Sequence, residues 1–378
     1  MKNVLSFFIA LLLLSCQDLD QRKYPFDLAA SDKFLSFPID ENTRLPNSIF
    51  TFEMEGNMYL SFLNGWKELL IYDVVQEQLI KKVSFEHMAA RNNIHDIYSF
   101  NIVDFNTIYL STTNENLLCL VDTAAQMKSK IVFSSSFDEN KLIPTLYSPI
   151  VVGNDSIYIH QGINLQYGYN SMGKSPLGLM IDTLSKNVKF TPLKYLDMYS
   201  NEELVYCTHG NRNWCCYDGN RILYSYDTKD SIITLDTQFK NQESYECKSK
   251  FIEKVSSKSN SNWDLNQILK ETCETSSYGN IIYDKYRNIY YRIAYPDVEF
   301  EKDDDFLAVF RGGRAQFSII VLDKNLNIIG ETLFPSNTYN PNILFVDKDG
   351  LYISTSHYKR EDYSDDWLRF QCLELVNK

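Results

Sequence analysis

The feature that most constrains the fold is a repeated tyrosine motif. Six segments share a turn-forming residue, an aliphatic residue, a tyrosine and then alternating residues. The six tyrosines are Tyr59, Tyr109, Tyr158, Tyr224, Tyr290 and Tyr352. They are spaced by 50, 49, 66, 66 and 62 residues. A recurrence on this scale is typical of chains that stack copies of one supersecondary unit.

Each unit continues with further short strands. A second apolar run ends in an acid and a turn, as in residues 69–74, 117–123 and 319–324, and a third run follows at 81–85, 130–133 and 328–334. Polar turns such as 323–327 are typical of antiparallel hairpins. The 26 tyrosines and 23 phenylalanines also favour strands. The pattern predicts an all-β chain and a β-propeller with six blades; a two-sheet sandwich or two separate β domains is the alternative.

The first strand is predicted to close the ring. Residues 35–37 precede the first motif tyrosine by about the same distance as residues 83–85 precede the second. The C-terminal unit, residues 351–356 and 367–376, lacks a final strand of its own. Pairing the two segments would complete the last blade and remove an unpaired edge.

A polar stretch at residues 248–262 interrupts the fourth interval, from Tyr224 to Tyr290. Trp263, Leu265, Ile268 and Leu269 follow it at helix-like spacing. We therefore expect a loop and a short helix inserted within a blade.

The N-terminus has the three parts of a secretory signal: Lys2, an apolar run of eleven residues at 4–14, and a small residue, Ser15, before Cys16. A membrane-spanning helix needs roughly 20 apolar residues, so this run is too short to span. Residues 13–16 (Leu-Leu-Ser-Cys) resemble the lipobox of bacterial lipoproteins, which implies cleavage before Cys16 and acylation of its thiol. The predicted organisation is a signal peptide at 1–15, a lipidated tether at 16–30 and a single propeller domain at 31–378.

The residues after Cys16 suggest a location. Gln17 stands where an Asp retains many lipoproteins at the inner membrane, so we expect an outer-membrane lipoprotein held by its lipid anchor. The acidic pair Asp18 and Asp20 resembles the tags of surface lipoproteins, and both the periplasmic and the cell-surface face stay open. The net charge of −12 argues against nucleic acid as a partner, because phosphate backbones need clustered cations.

The cysteines and histidines indicate no metal and no cofactor. Cys119 and Cys372 lie in apolar runs and are expected to be buried. One or two disulfides, of open connectivity, are expected among Cys207, Cys215, Cys216, Cys247 and Cys273. His209 beside this group is the nearest approach to a metal site, but the group lacks C-x-x-C spacing. No P-loop, nucleophile elbow or dinucleotide motif is present, and Gly312–Gly313 is expected to form a hairpin turn.

Three segments have the composition of binding loops, in which aromatic and small polar residues provide adaptable contacts. They are expected to converge at one end of the propeller channel. The candidate binding residues are Tyr167, Tyr169, Asn170, Trp214, Arg311 and Arg314.

A lipobox, a tether and six repeat units over nearly the whole mature chain resemble the six-bladed, TolB/NHL-like propeller lipoproteins of the Bacteroides group. The resemblance implies a fold but no activity and no catalytic residues. We expect an envelope-anchored module that binds or scaffolds a protein or a glycan. The alternative is an envelope hydrolase or lyase with a dispersed site in the channel. Convergent ionisable side chains there would favour the enzyme, and an aromatic or apolar patch the binding module.

Overall fold

A computed structural model describes residues 24–94, 96–112, 117–132, 136–137, 140–144, 148, 150–153, 155–163, 175–195, 213–255, 264–299 and 305–378. Within these residues the regular structure is almost entirely β, which confirms the predicted class. No helix in this part of the chain is long and apolar enough to cross a membrane.

Four sheets follow one another along the chain after the long first strand, β1 (Phe26–Pro38). The first contains β2 (Phe50–Met54), β3 (Asn57–Asn64), β4 (Glu68–Asp73) and β5 (Gln78–Ser84). The second contains β6 (Ile97–Asp104), β7 (Thr107–Thr112), β8 (Leu117–Val121) and β9 (Met127–Val132). The third contains β10 (Ser136–Phe137), β11 (Asn140–Pro144), β12 (Val151–Val152), β13 (Ser156–Ile163), β14 (Gly178–Asp182) and β15 (Val188–Phe190). The fourth contains β16 (Asn213–Tyr217), β17 (Arg221–Tyr226), β18 (Ser231–Asp236) and β19 (Gln242–Glu246).

A fifth sheet of eight strands completes the arrangement. Its later strands are β20 (Ser277–Asp284), β21 (Ile289–Tyr295), β22 (Ser318–Leu322), β23 (Ile328–Leu333), β24 (Asn340–Val346), β25 (Leu351–Ser354) and β26 (Trp367–Asn377). The strand order is β20-β21-β22-β23-β1-β26-β25-β24. Between β23 and β1 the sheet is joined by one parallel pair, Phe26 with Gly330.

Apolar cores between consecutive sheets arrange them as a propeller-like ring. Successive side chains on a strand point to opposite faces, so a sheet inside such a ring is buried on both faces. Ile157 and Ile159 of β13 pack toward the second sheet, whereas Tyr158 between them packs toward the fourth. One core also joins the last strands to the first sheet, through residues such as Phe370 and Leu60. The motif tyrosines are therefore core residues.

Strand β1 pairs with β26 as predicted. Ten antiparallel residue pairs join them, among them Phe37 with Leu368, so the N-terminal part of the chain hydrogen-bonds to its C-terminal strand. The strand begins at Phe26, so residues 26–30 belong to the sheet although they were predicted to be part of the tether at 16–30. The reason is that Leu28 is buried in the core of the eight-stranded sheet, and its backbone N–H donates to Oγ1 of Thr332 at 2.8 Å.

Within the residues that the structure describes, three short helices lie in the connections: α1 (Glu86–Arg91), α2 (Leu265–Glu274) and α3 (Phe306–Gly312). Helix α2 confirms the predicted helix, but it connects β19 of the fourth sheet to β20 of the next sheet and is not inserted within a blade. Asp264 with Gln267 forms a capping box at its start. The hairpin predicted at Gly312–Gly313 is wrong. Asp305 caps a helix that ends there, and Gly313 has the positive φ of 108° that favours glycine.

Most cysteines in the described part of the chain are buried. Cys119 and Cys372 are fully buried, as predicted. The local disulfides expected among Cys215, Cys216 and Cys247 are not found within the described residues, and Cys207 lies outside them. Cys215 and Cys216 are consecutive on β16, so their side chains belong to cores on opposite faces of the sheet.

A buried arginine joins the fourth sheet to the eight-stranded sheet. Arg292 on β21 is fully buried and donates to Oγ of Ser225 at 2.9 Å. It also donates to three backbone carbonyls, those of Tyr226, Lys229 and Cys247. Buried charge is tolerated only where hydrogen bonds satisfy it, so this side chain fixes how the two sheets meet.

Candidate functional site

The first strands of the repeated units enclose a central cavity of about 380 Å³. Strands β2, β6, β12, β16, β20 and β24 each contribute residues to its wall. One contributor from each strand is Phe50, Asn101, Val151, Cys216, Asn280 and Asn342. The cavity is thus the channel around which the sheets are arranged.

The wall of this cavity is uncharged. None of the described residues that line it is Asp, Glu, His, Lys or Arg. Burial raises the pKa of the Cys215 thiol to about 12, and it also raises the pKa values of Tyr217 and Tyr283. All three groups are therefore neutral at physiological pH. The polar groups in the wall include the carboxamides of Asn101, Asn280 and Asn342.

Irregularities in three inner strands coincide with the side chains of the site. The pairing of β6 with β7 shifts register around Tyr98, that of β20 with β21 around Gly279 and Asn280, and that of β24 with β25 around Asn342. An extra residue in a strand re-aims its side chain out of the regular alternation. This is why polar and aromatic residues of otherwise buried strands face the channel and its mouth.

An aromatic groove of about 400 Å³ lies against the cavity. The groove and the cavity share Ser48, Phe50 and Phe100 in their walls, so the two spaces adjoin. Trp66, in the turn between β3 and β4, stacks on Tyr98 with ring centroids 4.6 Å apart and planes 12° apart. Trp66 is 42% exposed although the backbone N–H of Ile97 anchors its carbonyl at 3.0 Å.

Further aromatic and polar residues complete the groove. Tyr358 and Tyr363 come from the connection between β25 and β26, and Ala308 comes from α3. The exposed Arg44 lines the other side and forms no ion pair with any described residue. The groove therefore offers aromatic faces beside hydrogen-bond donors, at the edge of a neutral channel.

The structure corrects several of the predicted site residues. Trp214 lies in β16 and is only 7% exposed, because it packs between the fourth sheet and the eight-stranded sheet. Arg311 lies in α3 and not in a turn. Arg314 is buried, covers the ring of Tyr295 at 4.5 Å and donates to the carbonyl of Thr275 at 2.7 Å. Tyr167, Tyr169 and Asn170 lie outside the described residues.

The sequence reasoning missed the residues that form the groove and the channel wall. One signal was available, since Gly65-Trp66 places a large aromatic residue in a turn, where it has no core to enter. A second was Gly279 beside Asn280, because glycine inside a strand indicates a bulge or a close approach. The common location of these residues was visible only once the sheets were assembled.

Two buried polar residues, His160 and Asn213, lie in the core between the third and fourth sheets. The Nε2 atom of His160 lies 3.2 Å from the carbonyl oxygen of Asn213, and burial lowers the pKa of His160 to about 4. Its Nδ1 atom has no hydrogen-bond partner. No group of three His, Cys, Asp or Glu side chains within the described residues could hold a metal ion, and Cys207 and His209 lie outside them.

Comparison with known proteins identifies the family. A family model described as a domain of unknown function, DUF4221, matches residues 27–333. The crystal structure of a DUF4221 member from Bacteroides vulgatus is similar, with a TM-score of 0.79 and 24% identity, covering 94% of this chain and 100% of that one. None of the curated proteins compared with this chain matches it. Because the family model covers well over half of the sequence, the chain belongs to the DUF4221 family.

Proposed function

We propose that this protein is a lipid-anchored, six-bladed propeller of the bacterial envelope that binds glycans in its aromatic groove. The blade count divides the eight-stranded sheet into two four-stranded blades, β20–β23 and β24–β26 with β1. This division is supported by the single residue pair that joins β1 to β23. In each of these two halves the strands otherwise pair as antiparallel neighbours.

The observation that carries the proposal is the exposed stack of Trp66 on Tyr98. Sugar rings present faces of C–H groups that pack on aromatic rings, and their hydroxyls need nearby hydrogen-bonding groups. The groove supplies both, through its aromatic side chains and through Arg44 and Asn47. Because Ile97 holds the Trp66 carbonyl, the stack is formed before a ligand arrives and little ordering cost accompanies binding.

The size of the site favours a small ligand over a protein partner, and the neutral cavity wall argues against an enzyme. Pockets of roughly 300–1,000 Å³ are typical of small-molecule sites, whereas a stable protein interface covers about 800 Å² on each partner. The groove and the cavity fall in the first range. A hydrolase or lyase needs positioned acids and bases, and the described channel wall supplies no such pair. Glycan binding is therefore preferred.

The groove is tested with a glycan array and with two matched tryptophan variants. We expect Trp66→Ala to weaken the affinity for glycans that bind the wild type about fivefold, since one aromatic contact contributes on the order of 1 kcal/mol. Trp367→Ala is the control, because Trp367 is 39% exposed and lies outside the groove. Equal loss in both variants, or no glycan binding by the wild type, contradicts the proposal.

The anchor is tested separately at Cys16. Cells grown with a tagged fatty acid are expected to label the wild-type protein and not Cys16→Ser, because the sulfur is the acyl acceptor. Gln17→Asp serves as the control, since it should keep the label and move the protein toward the inner-membrane fraction. Equal labelling of Cys16→Ser and wild type would rule out the anchor.

A further inference from the structure

We infer that the central cavity is the specificity subsite of the groove and takes the acetamido group of an uncharged N-acetylated sugar. The inference rests on the proposed function, because the sugar chain reaches the cavity through the groove. The two spaces share Ser48, Phe50 and Phe100 in their walls, so a sugar stacked on Trp66 lies next to the cavity.

The neutrality of the wall selects against charged sugars. A carboxylate, sulfate or ammonium group that enters a closed space loses hydration and needs a partner of opposite charge. The described wall has no Asp, Glu, Lys, Arg or His to provide one. Uronic acids, sulfated sugars and free amino sugars are therefore disfavoured in the cavity, whereas a neutral amide or hydroxyl is accepted.

The three asparagines offer donors and acceptors together. Asn101 donates its Nδ2 to the carbonyl of Ile150 at 2.8 Å, which leaves its Oδ1 as an acceptor. Asn342 accepts the hydroxyl of Tyr295 on its Oδ1 at 3.2 Å, which leaves its Nδ2 as a donor. An acetamido group carries one N–H and one C=O, so it matches a wall that presents both kinds of group.

Asn280 is a polar side chain of the wall whose donor and acceptor groups are both unused. It is half-buried, lies in the bulge of β20, and makes no side-chain hydrogen bond with any described residue. Its carboxamide can donate to a ligand carbonyl and accept from a ligand N–H at once. A polar group left without partners in a confined wall is costly unless water or a ligand satisfies it.

The bulge that presents Asn280 is held rigidly. A Cβ atom on Gly279 would lie 2.8 Å from Cε2 of Tyr295, so only glycine permits this approach. Tyr295 is in turn covered by the Arg314 guanidinium and donates to Asn342. One aromatic ring thus fixes two of the three amides before a ligand binds, which lowers the ordering cost of recognition.

Apolar side chains beside the amides suit the acetyl methyl group. Ile49, Ile102 and Ile150 line the cavity and are each at least nine-tenths buried. A methyl group placed against them removes apolar surface from water, whereas a hydroxyl at the same position gains nothing from this contact. The wall therefore distinguishes an acetamido substituent from the hydroxyl of an otherwise identical sugar.

The test uses three β1,4-linked disaccharides that differ at carbon 2: N,N′-diacetylchitobiose, cellobiose and the free-amine chitobiose. Dissociation constants are measured by isothermal titration calorimetry on the soluble protein without its lipid. We expect diacetylchitobiose to bind about tenfold more tightly than the other two, as two added hydrogen bonds would produce.

Two variants of Asn280 assign this preference to the cavity. Asn280→Ala should reduce the ratio of the dissociation constants of cellobiose and diacetylchitobiose about threefold, the effect of one of the two hydrogen bonds. Asn280→Asp should shift the preference toward the cationic chitobiose. Asn377→Ala, an exposed asparagine at the end of β26, is the control and should leave the ratio unchanged.

The outcomes separate this inference from the proposed function. The acetamido subsite is overturned by equal affinity for the three disaccharides or by no binding of any of them. It is also overturned if the ratio of dissociation constants is the same in Asn280→Ala as in the wild type. If glycans on the array still bind in a Trp66-dependent manner, the proposed function stands and only this inference fails. If no glycan binds on the array, both fail together.

Discussion

Substitution of Phe37 measures how much the packing of β1 against β26 contributes to stability. Its ring is fully buried and meets Tyr72 of the first sheet and Phe370 of β26 edge to face, with centroids 5.6 and 5.9 Å away. The hydroxyl of Tyr72 also donates to the carbonyl of Pro38 at 3.1 Å. Phe37 therefore stands where the N-terminal strand, the last strand and the first sheet meet.

Phe37→Ala should destabilise the protein by about 3–5 kcal/mol, because it removes buried surface and leaves a cavity that rigid neighbouring strands do not fill. This is a large share of a typical free energy of unfolding of about 5–15 kcal/mol. Phe34→Ala is the matched control on the same strand. Phe34 follows the bulge in β1 and is 57% exposed, so its loss should cost about 0.5 kcal/mol or less.

The assay is equilibrium unfolding in urea of the soluble chain without lipid, starting at Tyr24, for the wild type and both variants. A further truncation starting at Asn47 removes β1 and should be less stable than Phe37→Ala, because it also removes Leu28 and the strand hydrogen bonds. The reasoning is refuted if Phe37→Ala costs less than about 1 kcal/mol, or if the Asn47 truncation is as stable as the longer chain.

Two further predictions concern buried polar groups. Burial lowers the pKa of His160 and of His357 to about 4 from 6.5, so the unfolded chain takes up protons first and stability falls as pH drops from about 6.5 toward 4. Each histidine should lower the free energy of unfolding by about 1.8 kcal/mol between pH 7 and pH 5. In thermal melts, the stability of His160→Gln and of His357→Gln should depend less on pH than that of the wild type, whereas the exposed His87→Gln should follow the wild type. An unchanged pH dependence in all three variants would contradict this account. Arg292→Met should destabilise the protein by about 3 kcal/mol or more, because the carbonyls that accept hydrogen bonds from Arg292 are left buried without donors. Substitution of the exposed Arg91 by Met should have little effect. Equal stability of both variants in urea unfolding would disprove the role of Arg292 between the two sheets.

The parts of the fold that the sequence predicted are those encoded by local periodicity. The tyrosine motifs, the helix at Leu265–Glu274 and the strand around Phe37 were all found at the residues that the pattern indicated, although the helix connects two sheets and does not interrupt one. They could be predicted because strand alternation and helix spacing are properties of contiguous residues. The helix ending at Gly312 was missed because its short length leaves almost no periodic signal, and a Gly-Gly pair is equally typical of a turn.

The site depended on information that no contiguous segment carries. Trp214 and Arg314 have side-chain types common in binding sites, yet both are buried, since neighbouring sheets cover them. Asn280, Asn342 and Tyr98 look ordinary in the sequence. They reach the channel and its mouth because bulges rotate them out of the strand alternation.

The sequence by itself determined that this chain is a β-repeat protein whose first and last strands pair, because hydrophobic alternation specifies which face of each strand is buried. Only the tertiary structure decided which side chains line the channel. Six inner strands from distant parts of the chain contribute one neutral wall, and the stack of Trp66 on Tyr98 joins two different sheets. The chemistry of such a site is set by which side chains become neighbours in space, and that follows from how the sheets pack together.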